Sequence, residues 1–190
     1  QGEKMMTMYE KFCQLDIDSS WIGLEKRDMC EEYFCTPLNA TVIGWENCIH
    51  YCFIRGYREM VFAVNPESCV DKHVYPLAMN FKDFLCLILA CGSTTAVEQI
   101  VGWSKEQFED FLHSDGNAMF PEQKVVLEKI KSDLKLTPME NPYEYVKEVV
   151  GDREDIKVFK VATANPFPEK LALEFLEGLE LPGVAALNDK

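Results

Sequence analysis

Val74-Tyr75-Pro76-Leu77-Ala78-Met79-Asn80-Phe81-Lys82-Asp83-Phe84-Leu85-Cys86-Leu87-Ile88-Leu89 contains the change of period on which the fold reading rests. Up to Leu77 the residues favour an extended chain, and Val70 to Leu77 reads as a strand. Pro76 cannot donate to a ladder, so it belongs near the strand's end or at a sheet edge. Asn80 then reads as an N-cap, with Asp83 in the first turn. From there Phe81, Phe84, Leu85, Ile88 and Leu89 recur at i, i+3, i+4, i+7 and i+8, a helical stripe. Cys86, Leu87, Ala90 and Cys91 make the remaining face apolar, which predicts a helix buried on most sides. Gly92 is a natural stop.

Upstream, Thr41 to Trp45, Cys48 to Ile54 and Glu59 to Val64 read as strands. The last two are joined by Arg55-Gly56-Tyr57-Arg58, a loop with the glycine a hairpin requires. Asn65 to Ser68 reads as a turn. Met5 to Leu15 suits a short helix, and Trp21 to Leu24 suits either a strand or a packed loop. Downstream, helices are expected over Thr95–Val101 and from Ser104, where Ser104 and Gln107 form a capping box. That second helix turns Phe108, Phe111 and Leu112 inward. Past residue 117 there is no Cys and no Trp. Helices are expected over Pro121–Leu134, Pro142–Val150 and Pro168–Leu179, with a strand at Ile156–Val161.

The composition is that of a globular chain: 190 residues, 47% hydrophobic and 27% charged. With 19 Lys+Arg against 32 Asp+Glu the net charge is −13. It divides as −5 over residues 1–95 and −8 over 96–190. That balance argues against binding a phosphate backbone or an anionic membrane surface and favours basic partners. The longest strongly apolar run, Phe84 to Cys91, is too short to span a bilayer. Gln1 to Met6 contains no apolar signal core. The eight cysteines form no C-x-x-C pair, and several sit in apolar runs as small hydrophobes. Reduced thiols and a cytoplasmic location are therefore expected.

Cys48-x-His50-x-Cys52 places two thiols and an imidazole on one face of a strand. Cys69 and His73 would approach from the strand expected at Val70–Leu77, and Cys/His is the zinc ligand set. Yet Cys48 and Cys52 are roughly 13 Å apart on one strand, so a single tetrahedral ion cannot take both. The competing reading has Ile49, Tyr51 and Phe53 in one layer and Cys48, Cys52 and Ile54 in another. Cys91-Gly92-Ser93 partly echoes a cysteine-protease signature, but Thr94 stands where the nucleophile belongs. Cys91 also ends a helix, where the dipole disfavours a thiolate. Glu106, Glu109 and Asp110 read as a solvated face, and Asp152, Glu154 and Asp155 as a loop. There is no phosphate loop, zincin motif or nucleophile elbow. No metal or cofactor is expected. Arg55, Tyr57 and Arg58 combine the residue types that dominate protein contacts. Trp45 and Trp103 are either core or contact residues.

Residues 41–112 resemble the SUKH superfamily, shared by a yeast cell-wall-assembly regulator and many bacterial toxin-immunity proteins. The residues that carry the resemblance are the hairpin at Arg55-Gly56-Tyr57, then Val61-Phe62-Ala63-Val64-Asn65-Pro66. Val74-Tyr75-Pro76-Leu77-Ala78 and the helix from Asn80 complete it. The resemblance implies an α+β fold and a non-enzymatic binding module. The chain is accordingly expected to be α+β, with a mixed, largely antiparallel sheet packed against helices. Residues 1–113 form that domain, and 114–190 a helical extension packing on it. The expected function is protein binding, as an immunity or regulatory adaptor, through Arg55, Tyr57 and Arg58. The expected partner is a protein, a basic toxin on the immunity reading, with no nucleic acid or membrane involved. Two alternatives remain: a small hydrolase or metal-dependent enzyme using His50, Cys52, Cys69 or His73, and a structural subunit whose partner buries Trp45 or Trp103.

Overall fold

A computed structural model describes residues 5–28, 32–68 and 72–151. The strand expected at 156–161, the helix expected at 168–179, Asp152, Glu154, Asp155 and Cys69 all lie outside them.

Four strands form one antiparallel sheet in the order β1-β2-β3-β4: Ala40–Glu46, Ile49–Ile54, Val61–Val64 and Val74–Ala78. The strand expected to begin at Cys48 begins one residue later, because Asn47 and Cys48 make the hairpin turn, with Asn47 left-handed at φ 53°. Asn tolerates that conformation better than most residues. Likewise β3 starts at Val61 rather than Glu59. β4 starts at Val74; the expected start, Val70, lies outside the described residues. Pro76 sits in β4, which among the described residues hydrogen-bonds to β3 alone, so its missing N–H costs no ladder bond there on the outer side.

Alternation along the strands sorts residues onto two faces. Tyr51, Val61, Ala63, Tyr75 and Leu77 join the main core, and Cys52, Ile54, Phe62, Val64 and Val74 a second, thinner one. Both faces of β3 are therefore covered. That explains why it reads as an unbroken apolar run instead of alternating with polar residues. The covering layer on the thinner side includes Tyr33, Cys35, Tyr57 and Met60.

The main core is closed by helices. α1 spans Met8–Cys13 and α2 Phe81–Cys91. α3 spans Thr94–Gln99, α4 Lys105–Leu112, α5 Pro121–Asp133 and α6 Pro142–Val150. The Asn80 side chain caps α2 through the Asp83 N–H at 2.8 Å, and Gly92 ends it at φ 93°. Phe81 is fully buried and meets Tyr9, Phe12 and Phe53 edge-on at 5.1–5.9 Å. Each such ring contributes about 1.5–3 kcal/mol by burial. Trp21 to Ile22, read as strand or loop, falls in a short 3-10 helix, Ser19–Ile22, capped by Asp18. α5 and α6 place Val126, Leu127, Ile130 and Val146 in the same core as α2. Tyr145 ties α6 to the sheet, accepting from the Met79 N–H and donating to Asp83. Glu106, Glu109 and Asp110 are exposed on α4. Among the described residues no helix is long and apolar enough to cross a membrane.

Candidate functional site

At one end of the sheet the start of β1 lies against the end of β2. The Arg55 N–H donates to the Asn39 carbonyl at 3.1 Å, extending the ladder one residue beyond the strands. The chain then turns back through Gly56, at φ 103°, where only glycine is relaxed. It next passes through Arg58 at φ 55°, a left-handed conformation uncommon for a long side chain. The result is an open concavity of about 720 Å³ lined by Leu38, Asn39, Ala40, Thr41, Phe53, Ile54, Arg55 and Arg58. Arg55 and Arg58 are exposed, and Leu38 is 64% exposed at its rim. Among the described residues neither guanidinium is in an ion pair; those found involve Arg27, Lys105 and Lys131.

Sequence reasoning grouped Tyr57 with these arginines. It lies between them in the chain but not at the concavity. Its ring packs edge-on against Phe62 at 5.4 Å, on the thinner core, and its N–H donates to the Ile54 carbonyl. Tyr57 thus props the turn that presents the two arginines.

The Cys/His candidates occupy different surroundings. His50 and Cys52 do share a face of β2, and both are fully buried. The His50 ring is stacked on Tyr33 at 5.3 Å and tilted against Trp45 at 4.6 Å. Among the described residues neither of its nitrogens has a hydrogen-bond partner. Burial lowers its pKa from 6.5 to about 4. Burial raises the thiols of Cys52 and Cys91 to about 12 each. Cys48 lies in the β1–β2 turn with its Sγ 3.7 Å from a Glu67 carboxylate oxygen, and burial followed by the charge of Glu67 raises its pKa. His73 places Nδ1 3.1 Å from the Asn65 carbonyl, and its ring meets Phe34 edge-on. Among the described residues no group of three His, Cys, Asp or Glu side chains is placed to hold a metal ion. Trp45 is buried within the chain, with Arg27 over its ring at 5.0 Å. Trp103 is half-buried against Phe111 at 5.0 Å.

A second polar group, at the opposite end of the sheet, escaped sequence reasoning. Glu98 of α3 is only 5% exposed. Its carboxylate accepts from the Tyr75 hydroxyl, from Asn65 Nδ2 at 3.1 Å and from Gln99 Nε2 at 3.0 Å. The Tyr75 hydroxyl is held protonated by burial and by that neighbouring charge, which raise its pKa. Every acceptor position in use points at a donor of the same fold, so the carboxylate anchors α3 to β3 and β4.

No family model matches this chain, and neither a curated protein nor a solved structure matches it.

Proposed function

We propose that this chain is a non-enzymatic protein-binding module of the immunity or regulatory-adaptor kind. Its contact region is the concavity at the Arg55–Arg58 end of the sheet. The observation that carries this reading is the pairing of two exposed arginines, without ionic partners among the described residues, with an apolar rim at Leu38. Arginine is over-represented among the residues that carry most of the energy of protein contacts. The likeness of residues 41–112 to the SUKH superfamily supports the same reading. So does the net charge of −13, which steers a partner of basic overall surface. The local cationic pair then fixes orientation, since a wrongly docked basic partner would set like charges together.

The surroundings of the Cys/His residues weigh against the enzyme alternative. A general base works best with a pKa near the operating pH, and a cysteine nucleophile needs its thiolate. His50, lowered to about 4, and Cys52, raised to about 12, are displaced in the unhelpful directions and are buried. Trp45 is covered by its own chain, which removes one reason for a structural partner.

The test is affinity co-purification of the full chain from its native organism, quantified by mass spectrometry. A protein should be recovered at near one-to-one amounts. The Arg55→Ala/Arg58→Ala variant should recover about tenfold less, on the scale of losing one contact that dominates binding. Both residues are exposed, so the variant's melting temperature should not move. If no stoichiometric protein is recovered, the binding reading fails.

A further inference from the structure

We propose that the Arg55/Arg58 concavity takes an acidic peptide segment of the partner, two carboxylates flanking an apolar side chain. This rests on the binding reading above and names what that site recognises.

Each guanidinium offers a planar fork of donors that matches a carboxylate in a bidentate way. Two forks at one concavity call for at least two anionic groups. Arg58 is held left-handed at φ 55° in a turn that glycine at 56 makes possible. A strained backbone is retained where its surroundings over-determine it, which here fixes the direction in which the Arg58 side chain leaves the turn. Asn39 and Thr41 add neutral hydrogen-bonding groups, while Leu38 and Phe53 supply apolar surface. A bare inorganic anion would leave that apolar surface unused. A nucleic acid or other polyanion would meet the repulsion of a molecule of net charge −13 within a few Debye lengths. Glu59, the nearest acidic residue in sequence, does not line the concavity. A short peptide carrying a few spaced carboxylates fits the forks and the apolar surface, and its few charges meet less of that repulsion than a polyanion does.

The probe is a fluorescein-labelled heptapeptide of alternating Glu and Val, titrated with the full chain and followed by anisotropy. Saturable binding is expected, with the midpoint below about 1 mM, the range of weak peptide contacts. Affinity should fall as salt rises from about 0.05 to 0.5 M, because exposed charges are screened. Arg55→Gln/Arg58→Gln should weaken binding about tenfold or more, as should replacing Glu by Gln in the peptide. Leu38→Ala should weaken it by a smaller factor. Inorganic phosphate should not displace the peptide.

Absence of saturation, or binding unchanged in the double variant, overturns the proposal. Displacement by phosphate alone overturns it too, and assigns a general anion site instead. Failure here is separable from failure of the binding reading. A stoichiometric native partner that excess acidic peptide does not displace would leave the module intact and remove only this assignment.

Discussion

A His50→Leu variant should lose much less stability on acidification than the parent chain. At pH 4 the variant should be the more stable by on the order of 3 kcal/mol. The folded chain holds the imidazole at about 4, against 6.5 when unfolded. Below 6.5 the unfolded state therefore binds a proton that the folded state refuses. Stability contributed by the neutral ring is complete above pH 6.5 and drains away as pH falls toward 4. A displacement of that size corresponds to on the order of 3 kcal/mol. The physical cause is local: the ring lies between Tyr33 and Trp45, and among the described residues neither nitrogen has a partner to accept or share a charge. At pH 7 the two proteins should differ by only about 1–2 kcal/mol. Relief of the unpaired ring nitrogens, worth about 1–3 kcal/mol, is offset by the lost aromatic contacts. Urea unfolding at about pH 7, 5.5 and 4 measures this directly. Parallel acid limbs for the two proteins would mean that His50 has another route to solvent or to a partner.

The contrast between what the sequence foretold and what it concealed follows the range of the interactions. The stripe from Phe81 to Leu89, the Asn80 cap and the Gly92 stop are written in neighbours within two helical turns, and the structure places them as read. The two-faced sheet was equally legible, because alternation needs no knowledge of distant residues. Tyr51 and Cys52 do fall into opposite layers. Strand starts were less legible, since Asn47-Cys48 and Glu59-Met60 are turn residues that also suit an extended chain. The concavity was half legible. Arg55 and Arg58 announced themselves on a turn, but Leu38 and Asn39 reach them only through the register of β1 on β2. Tyr57 looked like a member because it sits between them, and packing on Phe62 took it elsewhere. The isolation of His50 was not legible at all. Its neighbours Tyr33 and Trp45 come from a covering segment and an adjacent strand, and no spacing rule encodes that.

Glu98→Ala should destabilise the chain by about 3–5 kcal/mol, whereas Glu98→Gln should cost about 1–2 kcal/mol. In the sequence Thr94-Thr95-Ala96-Val97-Glu98-Gln99 this glutamate looks like any polar residue of a short helix. Its three donors include Asn65 and Tyr75, which lie 33 and 23 residues away. Removing the carboxylate leaves the buried Tyr75 hydroxyl and the half-buried Asn65 amide without that acceptor. Each such loss costs about 1–3 kcal/mol, and the vacated volume adds to it. Glutamine keeps one acceptor oxygen for Tyr75 but replaces the other by a donor facing Gln99. α3 is sensitive to this because it is six residues long and Ser93 makes no side-chain cap; its further polar ties include the Thr94 hydroxyl donating to the Gly23 carbonyl at 3.0 Å and Thr95 hydrogen-bonded to Glu46. Asn65 follows the end of β3 remote from Met60 and the Arg55–Arg58 turn, so the lesion is at the far end of the sheet from the concavity. Where the Ala variant remains folded it should therefore bind the acidic peptide as the parent does. Chemical denaturation gives the first result and anisotropy the second. An Ala variant within 1 kcal/mol of the parent would mean that water satisfies Tyr75 and Asn65 as well as the carboxylate does. A loss of peptide binding without unfolding would mean that the two ends of the sheet are coupled.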